Sequence, residues 1–124
     1  MIPDTTFLSD LRREHEQGQR GPARRFLAQH RRQAFSLTAA SVGEVSVNFD
    51  SEAARAFLYP YRVLRLNPQI AYTAAAVDRE LIAIGQRLGE SDTWIAGFCR
   101  YYGQPLVSRD VALDRVPRLR RLEY

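Results

Sequence analysis

The sequence predicts a three-layer α/β/α fold in which a central, mostly parallel sheet of four or five strands carries helices on both faces. Short apolar runs alternate with helical patterns along the chain, the arrangement that produces parallel strands joined by helical crossovers. Acidic residues recur at the exits of those runs: Asp4, Glu44 and Asp110 each follow a strand-like segment, and Asp92 opens a helix. The 124-residue chain is 45% hydrophobic and has one cysteine, so its core must form by side-chain burial without disulfides.

The first apolar run is short, residues 1–3, and Asp4, Thr5 and Thr6 offer capping side chains ahead of a helix over residues 7–14. A polar, glycine-containing break at 17–22 puts Pro22 in the first turn of a second helix, which runs through Phe26, Leu27 and His30 to about Arg32. Residues 34–38 suit a buried strand. Ser41 to Glu44 then has the spacing of a capping box, so a helix follows to about Asn48. Asp50, Ser51 and Glu52 start a further helix that ends before Pro60, and residues 61–66 alternate and β-branch as a third strand.

Asn67 caps the clearest helix, with Pro68 at its first position. Ile70, Ala74, Val77, Leu81, Ile84 and Leu88 recur at steps of four and three, and Gly89 supplies a stop. Ser91 caps the next helix, whose Trp94, Ile95, Phe98, Cys99 and Tyr102 share an apolar face that ends at Gly103. Cys99 reads as a packed thiol on that face. Residues 104–107 form a fourth strand, and 119–122 a weak edge strand weighted with Arg120 and Arg121. No repeat, low-complexity segment or linker divides residues 1–124, which predicts one domain.

All 18 basic residues are arginine and the formal charge is +4, which favours an anionic partner. Arginines crowd residues 12–32 and 115–121. No apolar run approaches the roughly 18 residues of a membrane span, and the N-terminus lacks a basic stretch followed by a long apolar one, so the chain reads as cytoplasmic. The lone Cys99 excludes a cysteine-based zinc cluster, and His15 and His30 have no ligand spacing and receive no role.

Each acid has an ordinary local reading. Asp4 and Asp92 suit helix N-termini, Glu44 the far half of a capping box, and Asp110 a turn. Together they suggest more, because strand exits of a parallel sheet share one edge, and carboxylates gathered there repel one another unless a cation neutralises them. Magnesium or manganese suits such an all-oxygen site.

In order and spacing these residues resemble the PIN-domain ribonucleases, especially the single-domain VapC-type toxins of prokaryotic toxin–antitoxin pairs. The resemblance spans nearly the whole chain. It rests on Asp4-Thr5 after the first strand, Ser41 to Glu44 at the second strand's exit, Asp92 to Ala96 opening a late helix, and Val107 to Asp110 after the fourth strand. Asp110 lies eighteen positions after Asp92, similar to the family's helix-plus-strand spacing. Thr6 stands where many members have Asn, and Gly97 where a second Ala is usual.

The resemblance implies a PIN-like fold and an Mg²⁺- or Mn²⁺-dependent endoribonuclease with catalytic acids Asp4, Glu44, Asp92 and Asp110. Asp4 and Asp92 would bind metal directly, and Glu44 and Asp110 directly or through water. Thr5 and Ser108 would be supporting hydroxyls, and Arg109 a contact to the RNA backbone. A cognate antitoxin protein and a homodimer are further expectations. The arginines of the first two helices suit either RNA or an acidic antitoxin segment, and sequence leaves both open. Two other classes compete. A phosphoaspartyl hydrolase would need a second Asp where Thr6 stands, and a non-catalytic interaction module would have no use for four retained acids.

Overall fold

A computed structural model describes residues 1–47 and 50–124 and realises the predicted alternation. In chain order the elements are β1 (Ile2–Pro3), α1 (Thr5–Glu16), α2 (Pro22–Gln29), β2 (Ser36–Thr38), α3 (Ala39–Val47) and α4 (Ser51–Leu58). They continue with β3 (Arg62–Leu64), α5 (Pro68–Ala83), α6 (Glu90–Tyr102), β4 (Leu106–Val107), a 3₁₀ helix (Val111–Arg115) and β5 (Arg121–Leu122). The expected end of the third helix at Asn48 lies outside the described residues.

All the strand pairings are parallel: β1 with β4, β4 with β5, and β2 with β3. They form a three-stranded ladder, β1-β4-β5, and a two-stranded one, β2-β3. Met1 joins the two. Its nitrogen donates to the Ala34 carbonyl at 2.7 Å, and its carbonyl accepts from the Ser36 amide at 3.0 Å. Read across this junction, the strand order is β3-β2-β1-β4-β5. The order reverses between β1 and β4, the point where an open parallel sheet offers a crevice beyond its strand ends.

Apolar periodicity explains how the helices cover the sheet. Phe7, Leu8 and Leu11 of α1 are buried with Ala23 and Phe26 of α2, Leu37 of β2, Val45 of α3 and Leu58 of α4. Ile70 of α5 and Ile95, Phe98 and Cys99 of α6 join Ile2, Leu64, Leu106 and Leu113 in a second cluster. Burial pushes the Cys99 thiol up to about 12, consistent with a packing role.

Helix boundaries differ from the sequence reading in instructive ways. Helix α5 stops at Ala83, because Gly85 adopts φ +66° and the Gln86 amide turns back to the Leu81 carbonyl at 2.9 Å. Ile84 is consequently exposed, and Gly89, expected to end this helix, instead precedes α6 as its N-cap. Helix α2 ends at Gln29, short of Arg32. Its N-cap, Gly21, has no side chain to offer; Glu14 of α1 reaches over and accepts from the Ala23 and Arg24 amides at 3.1 and 2.8 Å.

Helices α5 and α6 meet at Gly97, where an added Cβ would lie 2.7 Å from the Ala74 Cβ and 2.9 Å from its Cα. The departure from the alanine expected there is thus a packing requirement of this chain. We expect Gly97→Ala to cost about 1–3 kcal/mol through overpacking, read as a lower urea midpoint with unchanged slope. An unaltered midpoint would show that the helices separate without cost.

Candidate active site

The site is built from the ends of β1 and β4. The Asp4 amide continues the ladder by donating to the Val107 carbonyl at 3.0 Å, and its carboxylate caps α1 by accepting from the Phe7 amide at 2.6 Å. Ser108, fully buried, stands beside it. The Ser108 hydroxyl accepts from the Asp110 amide at 3.0 Å and favours the charged form of Asp4, so one side chain serves the neighbourhood of two acids. Asp110 is exposed and caps the 3₁₀ helix through the Ala112 amide at 2.8 Å.

Glu44 and Asp92 arrive on α3 and α6. The capping box expected from Ser41 and Glu44 does not form, because α3 begins at Ala39, and Thr38 accepts from the Ser41 amide at 2.9 Å. Glu44 is thereby freed for a longer reach: its carboxylate accepts from the hydroxyls of Thr5 and Ser91. Ser91, expected as a helix cap, lies inside α6 and spends its hydroxyl on Glu44. Asp92 sits half-buried in the first turn of α6.

All four acids line one cavity of about 220 Å³, together with Thr5, Thr6, Thr38, Ala40, Ser41, Ser91 and Ile95. Among the described residues, no arginine lines it. Burial is the main cause that raises the Asp4 carboxyl above its ordinary range; hydrogen bonds from Ser108 and the Phe7 amide oppose the shift, repulsion from Asp92 adds to it, and Arg109 opposes it. Asp92 is raised by burial first, then by Asp110 and Glu44. Asp92 therefore feels each of the other three acids.

Among the described residues, no three His, Cys, Asp or Glu side chains stand as a ready-made metal cluster. The carboxylates ring the cavity wall without closing on a point. Their chemistry nevertheless fits a hard divalent cation that retains water: the donors are all oxygen, and the repulsion is not offset by a cationic side chain in the lining.

Arg109 is engaged outside the cavity wall. It pairs with Asp10 at 2.5 Å and lies 5.0 Å from the centre of the Tyr124 ring, with about half of its side chain (47%) exposed. Buried Asp10 also accepts from Arg13 at 2.5 Å and from the Tyr124 hydroxyl at 2.8 Å. Sequence reasoning passed over Asp10, although it falls three residues after Phe7 and four before Glu14, on the buried side of α1. His15 and His30 are not among the cavity's lining residues; His30 stacks on Phe26.

No protein-family model matches the sequence, and no curated protein matches it. Solved structures do match. A VapBC2 complex from Rickettsia felis, bound to a DNA fragment from its promoter, contains a chain with TM-score 0.82 and 16% identity, over 99% of this chain and 97% of that one. VapBC-1 from nontypeable Haemophilus influenzae gives 0.78 and 19%, over 98% and 96%. A toxin–antitoxin complex from Klebsiella pneumoniae gives 0.68 and 20%, over 95% and 93%. The fold is therefore the PIN-like α/β arrangement, with a parallel sheet flanked by helices.

Crowding of the acids has a thermodynamic consequence. A carboxyl raised in the folded state adds no cost below its ordinary value of 3.8, where both states are protonated, and its full cost above the raised value. In EDTA, Asp92→Asn should therefore raise the melting temperature at pH 7 by roughly 1–3 °C, an effect limited by solvent screening. That gain should vanish as the pH falls towards 4. A stabilisation independent of pH would assign the effect to something other than charge.

Proposed function

We propose that this chain is a metal-dependent endoribonuclease that hydrolyses RNA phosphodiester bonds and acts as the toxin of a toxin–antitoxin pair. The observation that carries the reading is the single cavity shared by Asp4, Glu44, Asp92 and Asp110 at the reversal point of the sheet. The resemblance in motif order and the likeness to chains of VapBC complexes support it from two other directions.

In this reading Asp4 and Asp92 would hold Mg²⁺ or Mn²⁺ directly, with Glu44 and Asp110 contributing directly or through water. The bound cation supplies Lewis-acid activation of water and offsets charge developing on the phosphate oxygens. The chain's own groups do the positioning. Ser108 and the Phe7 amide orient Asp4, while Thr5 and Ser91 orient Glu44. Because both Glu44 oxygens are already engaged by hydroxyls, we assign Asp110 as acceptor of the water proton. The N-terminus of α1 turns its positive dipole end towards the cavity and favours a phosphate there. Arg109, steadied by Asp10 and Tyr124 outside the cavity wall, is assigned to contact the RNA backbone.

The partner side has its own surface. A groove of about 940 Å³ is lined by Leu11, Leu27, Phe35, Phe57 and Tyr61 and bordered by Arg24, Arg31 and Arg62. Its residues 33–35 and 60–62 lie at the entry side of β2 and β3, the sheet edge opposite the acids. We assign this groove to an amphipathic, acidic antitoxin segment, and with it the arginines of α2, leaving the acidic edge to RNA. A homodimer belongs to the same proposal. Among the described residues no helix is long and apolar enough to cross a membrane.

Purified protein should cleave structured RNA in Mg²⁺ or Mn²⁺ and be silent in EDTA. Asp4→Asn should lose more than about 100-fold, beyond the loss typical of groups outside the coordination sphere. Metal-independent cleavage, or full activity in Asp4→Asn, would contradict the mechanism. Expression alone should slow host growth, and co-expression of a small antitoxin encoded beside it should relieve the effect. Cleavage without toxicity would leave a housekeeping RNA-processing nuclease.

A further inference from the structure

We infer that Arg121 is a positioning residue of the acidic site, holding the turn that sets Asp4 and Asp110 against one another. The inference rests on reading the four carboxylates as a metal-binding nuclease site. An arginine on an edge strand ordinarily points to water and discourages strand addition. Arg121 does not. Only 10% of its side chain is exposed, and apart from a looser 4.0 Å approach to Glu123 its donors are committed to the segment from Ser108 to Asp114.

Arg121 Nε and Nη2 grip Asp114 at 2.8 and 2.9 Å, and Nη1 donates to the Ser108 carbonyl at 2.9 Å. Those two contacts bracket Asp110, with Ser108 on one side and Asp114 of the 3₁₀ helix on the other. Ser108 is then held on every polar group. Its amide donates to the Leu122 carbonyl at 3.0 Å, its carbonyl accepts from Arg121, and its hydroxyl accepts from the Asp110 amide at 3.0 Å beside Asp4. Strand β5 supplies two of these restraints, so the weak edge strand braces the segment that carries Asp110.

The bland alternative is a surface ion pair with Asp114. Asp114 is 56% exposed, and exposed pairs contribute little stability, so the pair alone gives Arg121 no reason to be buried. The carbonyl contact does. A planar guanidinium can span a carboxylate with two donors and still reach Ser108, which a lysine ammonium cannot do from one position. Arg121 also lies close enough to Asp110 to feel its charge.

The test compares wild type, Arg121→Met, Arg121→Lys and Asp4→Asn, each checked for folding by thermal melt. Amide hydrogen exchange at Asp110 is measured without metal, Mn²⁺ binding by calorimetry, and kcat and KM on RNA. We expect Arg121→Met to lose protection at the Asp110 amide and to bind Mn²⁺ about 10- to 100-fold more weakly, with kcat falling and KM unchanged. Arg121→Lys should recover only part of this, and it carries the same readings if the Met variant does not fold. Wild-type exchange and Mn²⁺ affinity in a folded Arg121 variant would overturn the positioning role. If Asp4→Asn also bound Mn²⁺ normally, the metal-site reading itself would fall; if Asp4→Asn alone lost it, only the role of Arg121 would.

Discussion

One register governs the acidic cavity. Ile2 lies opposite Leu106 and Pro3 opposite Val107 in the parallel β1–β4 pair, so Asp4 and Ser108 leave the ladder side by side. The bond from the Asp4 amide to Val107 and that from the Ser108 amide to Leu122 fix both residues at the exit of the sheet. A slip of one residue would exchange inward and outward side chains along β4, bringing Arg109 or Val107 to Asp4 in place of Ser108. Met1 guards against such a slip from the other end, since its nitrogen is bound by Ala34 and Gln104 at 2.7 and 3.0 Å.

Given that register, the remaining problem is electrostatic. Four carboxylates share one small cavity, and hydrogen bonds from the Phe7 amide to Asp4 and from Thr5 and Ser91 to Glu44 orient two of them without neutralising them. Arginines are plentiful in the chain but are held elsewhere: Arg109 by Asp10, Arg121 by Asp114, and Arg100 by Glu80 at 2.7 Å. The fold thus carries residual repulsion at one edge, the kind of local cost that structures bear where function demands it.

Much of this was legible in the chain because strand exits and helix entries have local signatures. Asp4, Asn67 and Asp50 cap the helices their positions predict, and the apolar steps from Ile70 to Leu81 mark the buried stripe of α5. What local pattern does not encode is where a polar side chain goes once the chain has closed. Ser41 to Glu44 has the letters of a capping box, yet Glu44 bonds Thr5 and Ser91, residues 39 and 47 positions away. Gly85 and Gly89 look alike as stops, and the nearer one acts. Arg121 reads as edge-strand protection and Asp10 draws no reading at all, because their partners, Ser108 and Arg109, lie 13 and 99 residues distant.

The central claim is that these four acids exist to bind a divalent cation. Crystals soaked in Mn²⁺ and measured at the manganese absorption edge address it directly. An anomalous peak inside the cavity bounded by Asp4, Glu44, Asp92 and Asp110 is the predicted result. No peak there at saturating Mn²⁺, or a peak held by other residues, would contradict it.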